Sequence, residues 1–411
     1  MPTAEFFNVK TVDDALNSLF EQWHPQPRPI LYPVKGALGR IILHSPTSPI
    51  NLPEFVRSSM DGFAVRAADT FGASASLPAY LKCIGVVCMG SSPIFELKVG
   101  EAAEVYTGGQ IPAGADAVVI VERTQRLGID EIEVLAPVAP GENLVQIGED
   151  VQLGSPLVPI GHRLRAQDIG GLLAVGVLEI EVADSPRVAF IGSGDELVVP
   201  ESTPLPGQIR DINSYTLAAL AQSCGAEVII GGIASDTFDD LYRMARKSLE
   251  QADILVISAG SSVSTRDLTG AVIEKLGSPG VLQHGIAVKP GKPTILALCD
   301  GKPVIGLPGN PVSALLVARQ IMIPIIQRAM GETPRKAGTI RATLTANIAS
   351  ATGREDTIPV RLHHKEYGIH AEPIFGKSNL IFTLTNADGL VLVPLNNGGL
   401  KAGTEVDVVV F

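Results

Sequence analysis

Asp253-Ile-Leu-Val-Ile-Ser258 is a short apolar run, and Ala259-Gly260-Ser261-Ser262 follows it directly. A run of this length that ends in small residues and glycine is typical of a buried parallel strand that opens into a loop. The stretch from Asp253 to Ala314 therefore predicts the sheet around which the rest of the chain is organised. Ser261 falls in the first loop of that sheet.

Two glycine–proline loops follow this strand. Lys289-Pro-Gly-Lys292-Pro293 places two ammonium groups beside a turn whose backbone a ligand can approach closely. Gly306-Leu-Pro-Gly-Asn-Pro-Val-Ser313-Ala314 is stiff, exposes backbone groups and predicts a helix that begins near Ser313. Because the free N–H groups at a helix N-terminus favour anions, the two loops indicate an anion site of the phosphate type.

The surrounding segment, 184–331, alternates between strand and helix patterns. Arg187-Val-Ala-Phe-Ile191 and Glu227-Val-Ile-Ile230 are strand-like, and the segment between them is helical with Asn213 as its predicted cap. This alternation predicts a parallel sheet with helices on both faces, which is a three-layer α/β domain.

Acidic residues follow the predicted strands of this domain. Ligands bind such sheets at the carboxyl ends of the strands, so these acids are expected at the same edge as the two lysines. Carboxylate oxygens suit Mg²⁺ and lysines balance phosphate, which predicts a magnesium–phosphate site. Asp236 equally fits a helix N-cap, and the pattern leaves that alternative open. The acids are Asp195, Glu196, Asp236 and Asp267.

The rest of the chain predicts three further units. Residues 49–145 have short strands punctuated by glycine and proline, which is typical of a β module inserted between the halves, 1–48 and 146–183, of a helical linker domain. Residues 338–411 carry strand patterns alone, which predicts a small C-terminal β-barrel. A chain of 411 residues is too long for one core, so a multidomain protein of α/β and β units is expected.

Composition excludes several classes of protein. A net charge of −11 argues against a nucleic-acid binder, which needs a basic surface. The four cysteines have no paired spacing and are expected to be buried free thiols. No secretory leader pattern opens the chain, and charged Arg319 interrupts its most apolar helical stretch, Leu315 to Ile326. We therefore expect a cytoplasmic protein without membrane contact.

Seven short motifs occur in order over most of the chain. They are Ser59-Met-Asp-Gly62, Thr107-Gly-Gly, Gly148-Glu-Asp150, Gly194-Asp-Glu196, Lys289-Pro-Gly-Lys-Pro293, Gly306-Leu-Pro-Gly-Asn-Pro311 and Thr352-Gly-Arg-Glu-Asp356. Together they resemble the MoeA family, the molybdopterin molybdenumtransferases related to the E domain of gephyrin. The resemblance covers about residues 10 to 411.

The resemblance implies a MogA-like (MoCF-type) α/β domain and a function in molybdenum-cofactor biosynthesis. The activity would be insertion of molybdate into adenylylated molybdopterin with Mg²⁺ and release of AMP. The resemblance assigns catalytic roles to Asp61, Thr107, Glu196, Asp267, Lys289, Lys292 and Arg354. It assigns cofactor contacts to Gly194, Asp195, Ser261, Pro308, Asn310, Pro311, Ser313 and Ser378, and magnesium ligation to Glu149, Asp150, Asp236 and Asp267.

Residue patterns alone leave blander interpretations open. Asp61, Thr107 and the acids at Glu149 and Asp150 each fit ordinary turns, and Arg354 fits a surface loop. The family resemblance further implies an elongated homodimer, in which the β module of one subunit faces the sheet edge of the other. It also implies contacts with a MogA-type adenylyltransferase and with proteins that assemble molybdoenzymes.

The loop Ser261 to Asp267 departs from the family pattern because Ser264 stands where a glycine is usual. Arg266-Asp-Leu-Thr269 in that loop resembles the MogA-type adenylyltransferases. Two alternatives follow. One is a tungsten-specific or adenylyltransferase variant, and the other is a non-catalytic molybdopterin-binding scaffold.

Overall fold

The first helix of the chain packs on a distant part of the sequence. A computed structural model describes residues 9–260, 263–334 and 338–411, with the side chains of 263–267 outside the described part. Helix α1 is Val12–Phe20, and Thr11 caps it, since Asp14 N donates to Thr11 Oγ1 at 3.1 Å. From its position in the sequence, α1 is expected in the linker domain. Its apolar face instead packs against the apolar core of the α/β domain.

A small β module follows strand β1 (Pro29–Pro33) and the 3₁₀ turn Val34–Gly36. Six of its strands form one sheet, and β2 pairs with β9, so the chain enters and leaves the module at neighbouring points. Phe63, Leu81 and Ile132 lie in its own core. The strands are β2 (Arg57–Ser58), β3 (Gly62–Val65), β4 (Ala79–Val86), β5 (Glu101–Val105), β6 (Ala117–Ile120), β7 (Thr124–Leu127), β8 (Glu131–Val134) and β9 (Leu144–Val145), with 3₁₀ turns at Ala67–Thr70 and Val121–Arg123.

The linker region closes after the β module. Helix α2 (Ala166–Ala174) ends where Gly176 takes up φ +80°, a conformation that stops a helix. Strand β10 (Glu179–Ala183) pairs antiparallel with β1, which joins the two halves of the linker. Arg163 Nε, in the linker, donates a hydrogen bond to Glu332 Oε1 at 2.9 Å. This bond connects the linker to the end of the α/β domain.

The α/β domain has a six-stranded sheet in the order β14-β11-β15-β19-β18-β16. Helices cover both faces and enclose two separate apolar cores, so the predicted three-layer fold is confirmed. Its elements are β11 (Arg187–Ser193), β12 (Leu197–Val198), β13 (Ile209–Arg210), α3 (Asn213–Ser223), β14 (Glu227–Ala234), α4 (Phe238–Gln251), β15 (Ile254–Ala259), α5 (Val263–Leu276), β16 (Pro279–His284), β17 (Val288–Lys289), β18 (Ile295–Cys299), β19 (Lys302–Pro308) and α6 (Pro311–Ala329).

One part of the sheet prediction is wrong, because β18 and β16 run antiparallel to their neighbours. The cause is local: Asp300 and Gly301, at φ +50° and +81°, form a two-residue turn between β18 and β19. Two positive φ values in a row are typical of the turn that closes an antiparallel hairpin.

Helix α6 begins at Pro311, two residues before the predicted start, because proline favours the first helical position. By length and composition α6 could cross a membrane, but 56% of its apolar window is buried inside the protein. Val317, Ile321 and Met322 of α6 lie in the core of the α/β domain. The helix therefore has the packing of a core helix.

The C-terminal region forms the predicted barrel. Strands pair in the order β22-β23-β20-β26-β24, and β24 pairs with β22, which closes five strands into a barrel. Strand β17 of the α/β domain adds to β22, so Lys289 lies in register beside Asp356. The elements are β20 (Thr339–Leu344), β21 (Ile348–Ala349), β22 (Glu355–Lys365), β23 (Gly368–Pro373), α7 (Phe382–Thr385), β24 (Gly389–Val393), β25 (Gly399–Leu400) and β26 (Glu405–Val410).

The cysteines are only partly as predicted. Cys224 and Cys299 are buried free thiols, and burial raises the pKa of Cys299 to about 12. Cys88 is exposed because it lies in the loop after β4, and Cys83 is half-buried because it packs beside the core of the β module and not inside it.

Candidate active site

A cleft of about 640 Å³ lies between the α/β domain and the C-terminal barrel. In a protein of net charge −11, its walls carry a local excess of cations. Such a concentration of positive charge attracts anions into a concave site. The cations are Lys289, Lys292, Arg354 and Lys377, and the hydroxyls of Ser313, Thr357 and Ser378 lie among them. We call this site the cation cleft.

Buried Asp356 holds two of these cations in place. Arg354 Nε donates to Asp356 Oδ1 at 2.9 Å, and Lys289 Nζ lies 3.7 Å from Asp356 Oδ2. Asp356 is fully buried, whereas the side chains of Arg354 and Lys289 are 38% and 56% exposed. A buried carboxylate needs such partners, and in return it fixes the direction of their cationic groups.

The loop before α6 forms the opposite wall of the cation cleft. Asn310 Nδ2 donates to Ser378 Oγ at 3.0 Å, and Val312 N donates to Ser378 O at 3.0 Å. These two bonds fasten the barrel loop to the start of α6. Ser378 and Ser313 therefore face the cleft from elements that are joined to each other.

A second cavity, of about 380 Å³, lies at the carboxyl edge of the sheet. It meets the cation cleft at Asn310, which lines both spaces. Its polar lining is mainly acidic or neutral: Ser193, Glu196, Asp211, Asn213, Ser258 and Asn379, with Arg210 also on the wall. We call this site the sheet-edge cavity.

Asn213 connects the strand ends that form the sheet-edge cavity. The prediction that Asn213 caps α3 is wrong, because the cap position is Ile212 and the capping oxygen comes from Asp211, whose Oδ1 accepts from Ser214 N at 3.1 Å. Asn213 is the first residue of α3, and its Nδ2 donates to Ser258 Oγ and to Gly309 O, each at 2.8 Å. It therefore ties β15 to the loop before α6.

We expect Asn213→Ala to lower the free energy of unfolding by about 1–3 kcal/mol, because a buried and a partly buried acceptor lose their donor. The measurement is chemical denaturation followed by circular dichroism. Exposed Asn396, in a barrel loop, is the control, and Asn396→Ala should change stability by less than about 0.5 kcal/mol. Equal midpoints for the two variants would contradict the bridging role.

The acids that follow the strands lie at the same edge. Asp236 N donates to Asp195 Oδ1 at 3.1 Å, and Ser193 Oγ donates to Asp236 Oδ1 at 3.2 Å. The alternative that Asp236 caps α4 is wrong, because Thr237 occupies that position. Gly194 allows Glu196 to fold close, since a Cβ there would lie 2.6 Å from Glu196 Oε2. Asp267 lies within α5, but its side chain, like all of Ser261, is outside the described residues.

The described residues contain no group of three or more His, Cys, Asp or Glu side chains placed to hold a metal ion. Glu149 and Asp150 lie in the linker, where Glu149 Oε2 accepts from Gln146 N and Asp150 N donates to Leu52 O. The structure thus places these two acids in a different region from Asp236.

Asp61 and Thr107 form a pair on the β module. Asp61 Oδ1 accepts from Thr107 N at 2.7 Å and from Thr107 Oγ1 at 2.8 Å. The backbone N–H of Thr107, followed by its hydroxyl, holds the pKa of the Asp61 carboxyl below its usual range. Both residues are exposed, and neither lines the cation cleft or the sheet-edge cavity.

The cation cleft therefore brings together seven of the eighteen predicted residues: Lys289, Lys292, Pro308, Asn310, Ser313, Arg354 and Ser378. Glu196 and Pro311 line the sheet-edge cavity instead. Sequence reasoning missed Asp211, Ser258, Asp356, Thr357 and Lys377. Asp356 could have been found because it ends the Thr-Gly-Arg-Glu-Asp motif, and Ser258 because it ends the first strand.

Comparison with known families matches three consecutive parts of the chain. Residues 10–176 match the family described as MoeA N-terminal region (domain I and II). Residues 189–328 match the one described as probable molybdopterin binding domain, and residues 341–411 match MoeA C-terminal region (domain IV).

Individual proteins are similar over nearly the full length. Molybdopterin molybdenumtransferase 2 of Mycobacterium tuberculosis is 32% identical, with 93% of this chain and 95% of that protein covered. A crystal structure of a molybdopterin biosynthesis MoeA protein from Pyrococcus horikoshii is 38% identical at a TM-score of 0.79, with 98% and 99% covered. A second one, from Pyrococcus horikoshii OT3, is 29% identical at a TM-score of 0.85, with 98% and 100% covered.

Proposed function

Because the chain belongs to the MoeA family of molybdopterin molybdenumtransferases, we propose that it inserts molybdate into adenylylated molybdopterin and releases AMP. It is a transferase of molybdenum-cofactor biosynthesis. The observation that carries the proposal is the cation cleft, where Lys289, Lys292 and Arg354 converge on one space with Ser378. Such a set of donors suits a tetrahedral oxyanion or a phosphate group.

The residues of the cleft act by binding and by stabilising charge. Arg354, directed by Asp356, offers a planar set of N–H donors, and the two lysines add point charges. Ser313 and Ser378 offer hydroxyl donors from the joined loops. Chemistry that depends on positioning and electrostatic stabilisation needs no serine or cysteine nucleophile.

The role of Mg²⁺ belongs to this proposal. Mg²⁺ is commonly held by one or two carboxylates together with water and substrate phosphate, and it neutralises phosphate charge when bound. Asp236 N donates to Asp195 Oδ1, so the two residues are neighbours at the sheet edge. Their carboxylates could therefore both bind one Mg²⁺ ion. Asp267 stays a predicted ligand, and Glu149 and Asp150 would have to come from a second subunit.

We further propose a homodimer in which the Asp61–Thr107 pair completes the site of the partner. The pair is exposed on the β module and lies outside both cavities of its own chain. An exposed, hydrogen-bonded carboxylate that lines neither of the two described cavities suits a surface that faces another subunit's sheet edge. Gly194, Asp195 and Glu196 would lie on that edge.

Mixed dimers test this arrangement. Asp61→Asn and Arg354→Ala should each abolish most activity, but mixed dimers with one change in each chain should regain about half of the unaltered rate. One of the two sites in a mixed dimer then has both residues intact, and the other site has neither. The measurement is AMP release by doubly tagged, purified mixed dimers. A chain carrying both changes, paired with itself, is the control.

Activity of the mixed dimers no higher than that of the single variants would contradict a site shared between subunits. It would show that Asp61 and Arg354 act within one chain. The same proposal includes three further expectations. The enzyme is cytoplasmic, it receives its substrate from a MogA-type adenylyltransferase, and it passes its product to molybdoenzyme assembly proteins.

The function itself is tested by AMP release from adenylylated molybdopterin in the presence of Mg²⁺ and either molybdate or tungstate. We expect release to require molybdate. Dependence on tungstate alone would favour the tungsten-specific alternative, and adenylyl transfer from ATP without either oxyanion would favour the adenylyltransferase. Tight pterin binding without release would contradict the proposed transferase.

A further inference from the structure

A buried carboxylate, that of Asp211, faces the sheet-edge cavity with one oxygen unused. Asp211 is only 4% exposed, and it lines the cavity. Its Oδ1 accepts from Ser214 N at 3.1 Å, whereas within the described residues no donor is bonded to Oδ2. Its neighbour Arg210 donates Nε to Pro200 O at 2.8 Å. Oδ2 is not fully enclosed by protein and is open to the cavity, so a donor on a ligand can reach it.

The backbone keeps Asp211 in this position. Asp211 N donates to Val198 O at 2.8 Å, and Oδ1 is held by the first turn of α3. Strand β11 also approaches the carboxylate closely at Gly192, which has no side chain. A Cβ at Gly192 would lie 3.0 Å from Asp211 Oδ2. The carboxylate is therefore fixed before any ligand arrives, which favours selective binding.

Part of the wall around Asp211 is apolar. Leu197, Ile209, Ile212 and Pro311 line the cavity together with its polar residues. A carboxylate acceptor beside apolar side chains suits a flat heteroaromatic ring that has N–H groups on one edge. A phosphate at this position would be repelled by Asp211 and Glu196 unless a metal ion lay between them.

We propose that Asp211 is a specificity-determining residue that accepts hydrogen bonds from the 2-amino-4-oxopyrimidine edge of the pterin. That edge presents the 2-amino group and N3–H side by side, which a carboxylate can accept together. Oδ1 has a second lone pair for this purpose besides the one that Ser214 N uses. This inference rests on the proposed function, because it concerns how the same site selects its substrate.

The neighbouring cation cleft agrees with this orientation. Asn310 lines both spaces, so a ligand whose ring lies in the sheet-edge cavity can extend its anionic end past Asn310 into the cation cleft. The donors of such a ligand meet an acidic wall, and its negative charges meet Lys289, Lys292 and Arg354. The sheet-edge cavity would thus bind the ring of the ligand, and the cation cleft would bind its negatively charged end.

The test compares two free pteridines, pterin and lumazine, which differ in that lumazine carries an oxo group in place of the 2-amino group. Binding to the purified full chain is measured by quenching of pteridine fluorescence. We expect the unaltered protein to bind pterin at least about tenfold more tightly than lumazine, since lumazine turns an acceptor towards the carboxylate. Asp211→Asn should reduce this ratio to about one, because an amide can serve as donor or acceptor.

Two further variants make the outcome decisive. Asp211→Ser retains an N-cap oxygen for α3 and removes the carboxylate, so it should lose the preference even if Asp211→Asn folds poorly. Asp239→Asn makes the same charge change at an exposed position of α4 and should keep the preference. Thermal unfolding of each variant identifies any loss of fold.

An unchanged pterin-to-lumazine ratio in folded Asp211→Asn and Asp211→Ser would overturn the inference, as would an unaltered protein that binds neither compound. A change confined to the Mg²⁺ requirement would overturn it too, by making Asp211 a metal ligand. The proposed transferase has a separate readout, because AMP release by the unaltered protein tests it whatever the pteridine ratio is.

Discussion

Arg354→Ala is expected to lower kcat for AMP release by about 10²–10³-fold, the effect of removing one preorganised donor to a developing charge. Arg354 lines the cation cleft, and its Nε is bonded to Asp356 Oδ1 at 2.9 Å, so its remaining N–H groups have a fixed direction. Truncation removes both the charge and the planar donor set. The measurement is steady-state AMP release with saturating substrate and molybdate.

Two variants separate this role from general effects. Arg354→Lys keeps the charge but loses the planar fork, and it should recover only part of the rate. Arg361, exposed on the same strand β22, donates to Asn386 O at 3.3 Å, and Arg361→Ala should leave kcat within about twofold. If Arg354→Ala were as active as Arg361→Ala, the cleft would not be the site of charge stabilisation.

Gly291→Ala is expected to lower the free energy of unfolding by about 3–5 kcal/mol. Gly291 lies between the two lysines of the cleft at φ +112°, a conformation that is strained for any residue with a Cβ. The added Cβ would also overlap with Val317 Cγ2 on α6. Strain and overlap thus act at one position, and denaturant titration followed by circular dichroism measures their sum.

The two causes can be measured separately. Gly72 has φ +87° and nothing among the described residues within 4 Å of an added Cβ, so Gly72→Ala should cost only about 1 kcal/mol. Adding Val317→Ala to Gly291→Ala removes the overlap but not the backbone strain, so the pair should cost less than the sum of the single changes. A Gly291→Ala protein as stable as Gly72→Ala would show that this loop adapts freely.

Local patterns in the sequence predicted the layers of the fold well. The run Asp253–Ser258 forms most of the central strand β15 (Ile254–Ala259), which lies between the two apolar cores, and period-two patterns after 338 form the barrel. The antiparallel edge of the sheet was missed because it depends on Asp300 and Gly301, two residues whose turn geometry outweighs the strand–helix alternation.

The site was predicted less completely, because its key contacts join residues far apart in the chain. Asn213 looks like a helix cap in sequence, and only the folded chain brings Ser258 and Gly309 to its amide. Asp356 is two residues from Arg354, but its burial depends on β17, which crosses from the α/β domain to pair with β22. Charge patterns identify Lys289 and Arg354, whereas packing decides which carboxylate directs them.

The central claim, that the cation cleft binds the oxyanion, is tested most directly by anomalous X-ray scattering from crystals soaked in tungstate. We predict a tungsten peak within hydrogen-bond distance of Arg354 and Ser378, in the space that Lys289 and Lys292 also line. Crystals of Arg354→Ala, soaked alike, should show the peak weakened or absent. A peak in the sheet-edge cavity, or none in the cleft of the unaltered protein, would contradict the account.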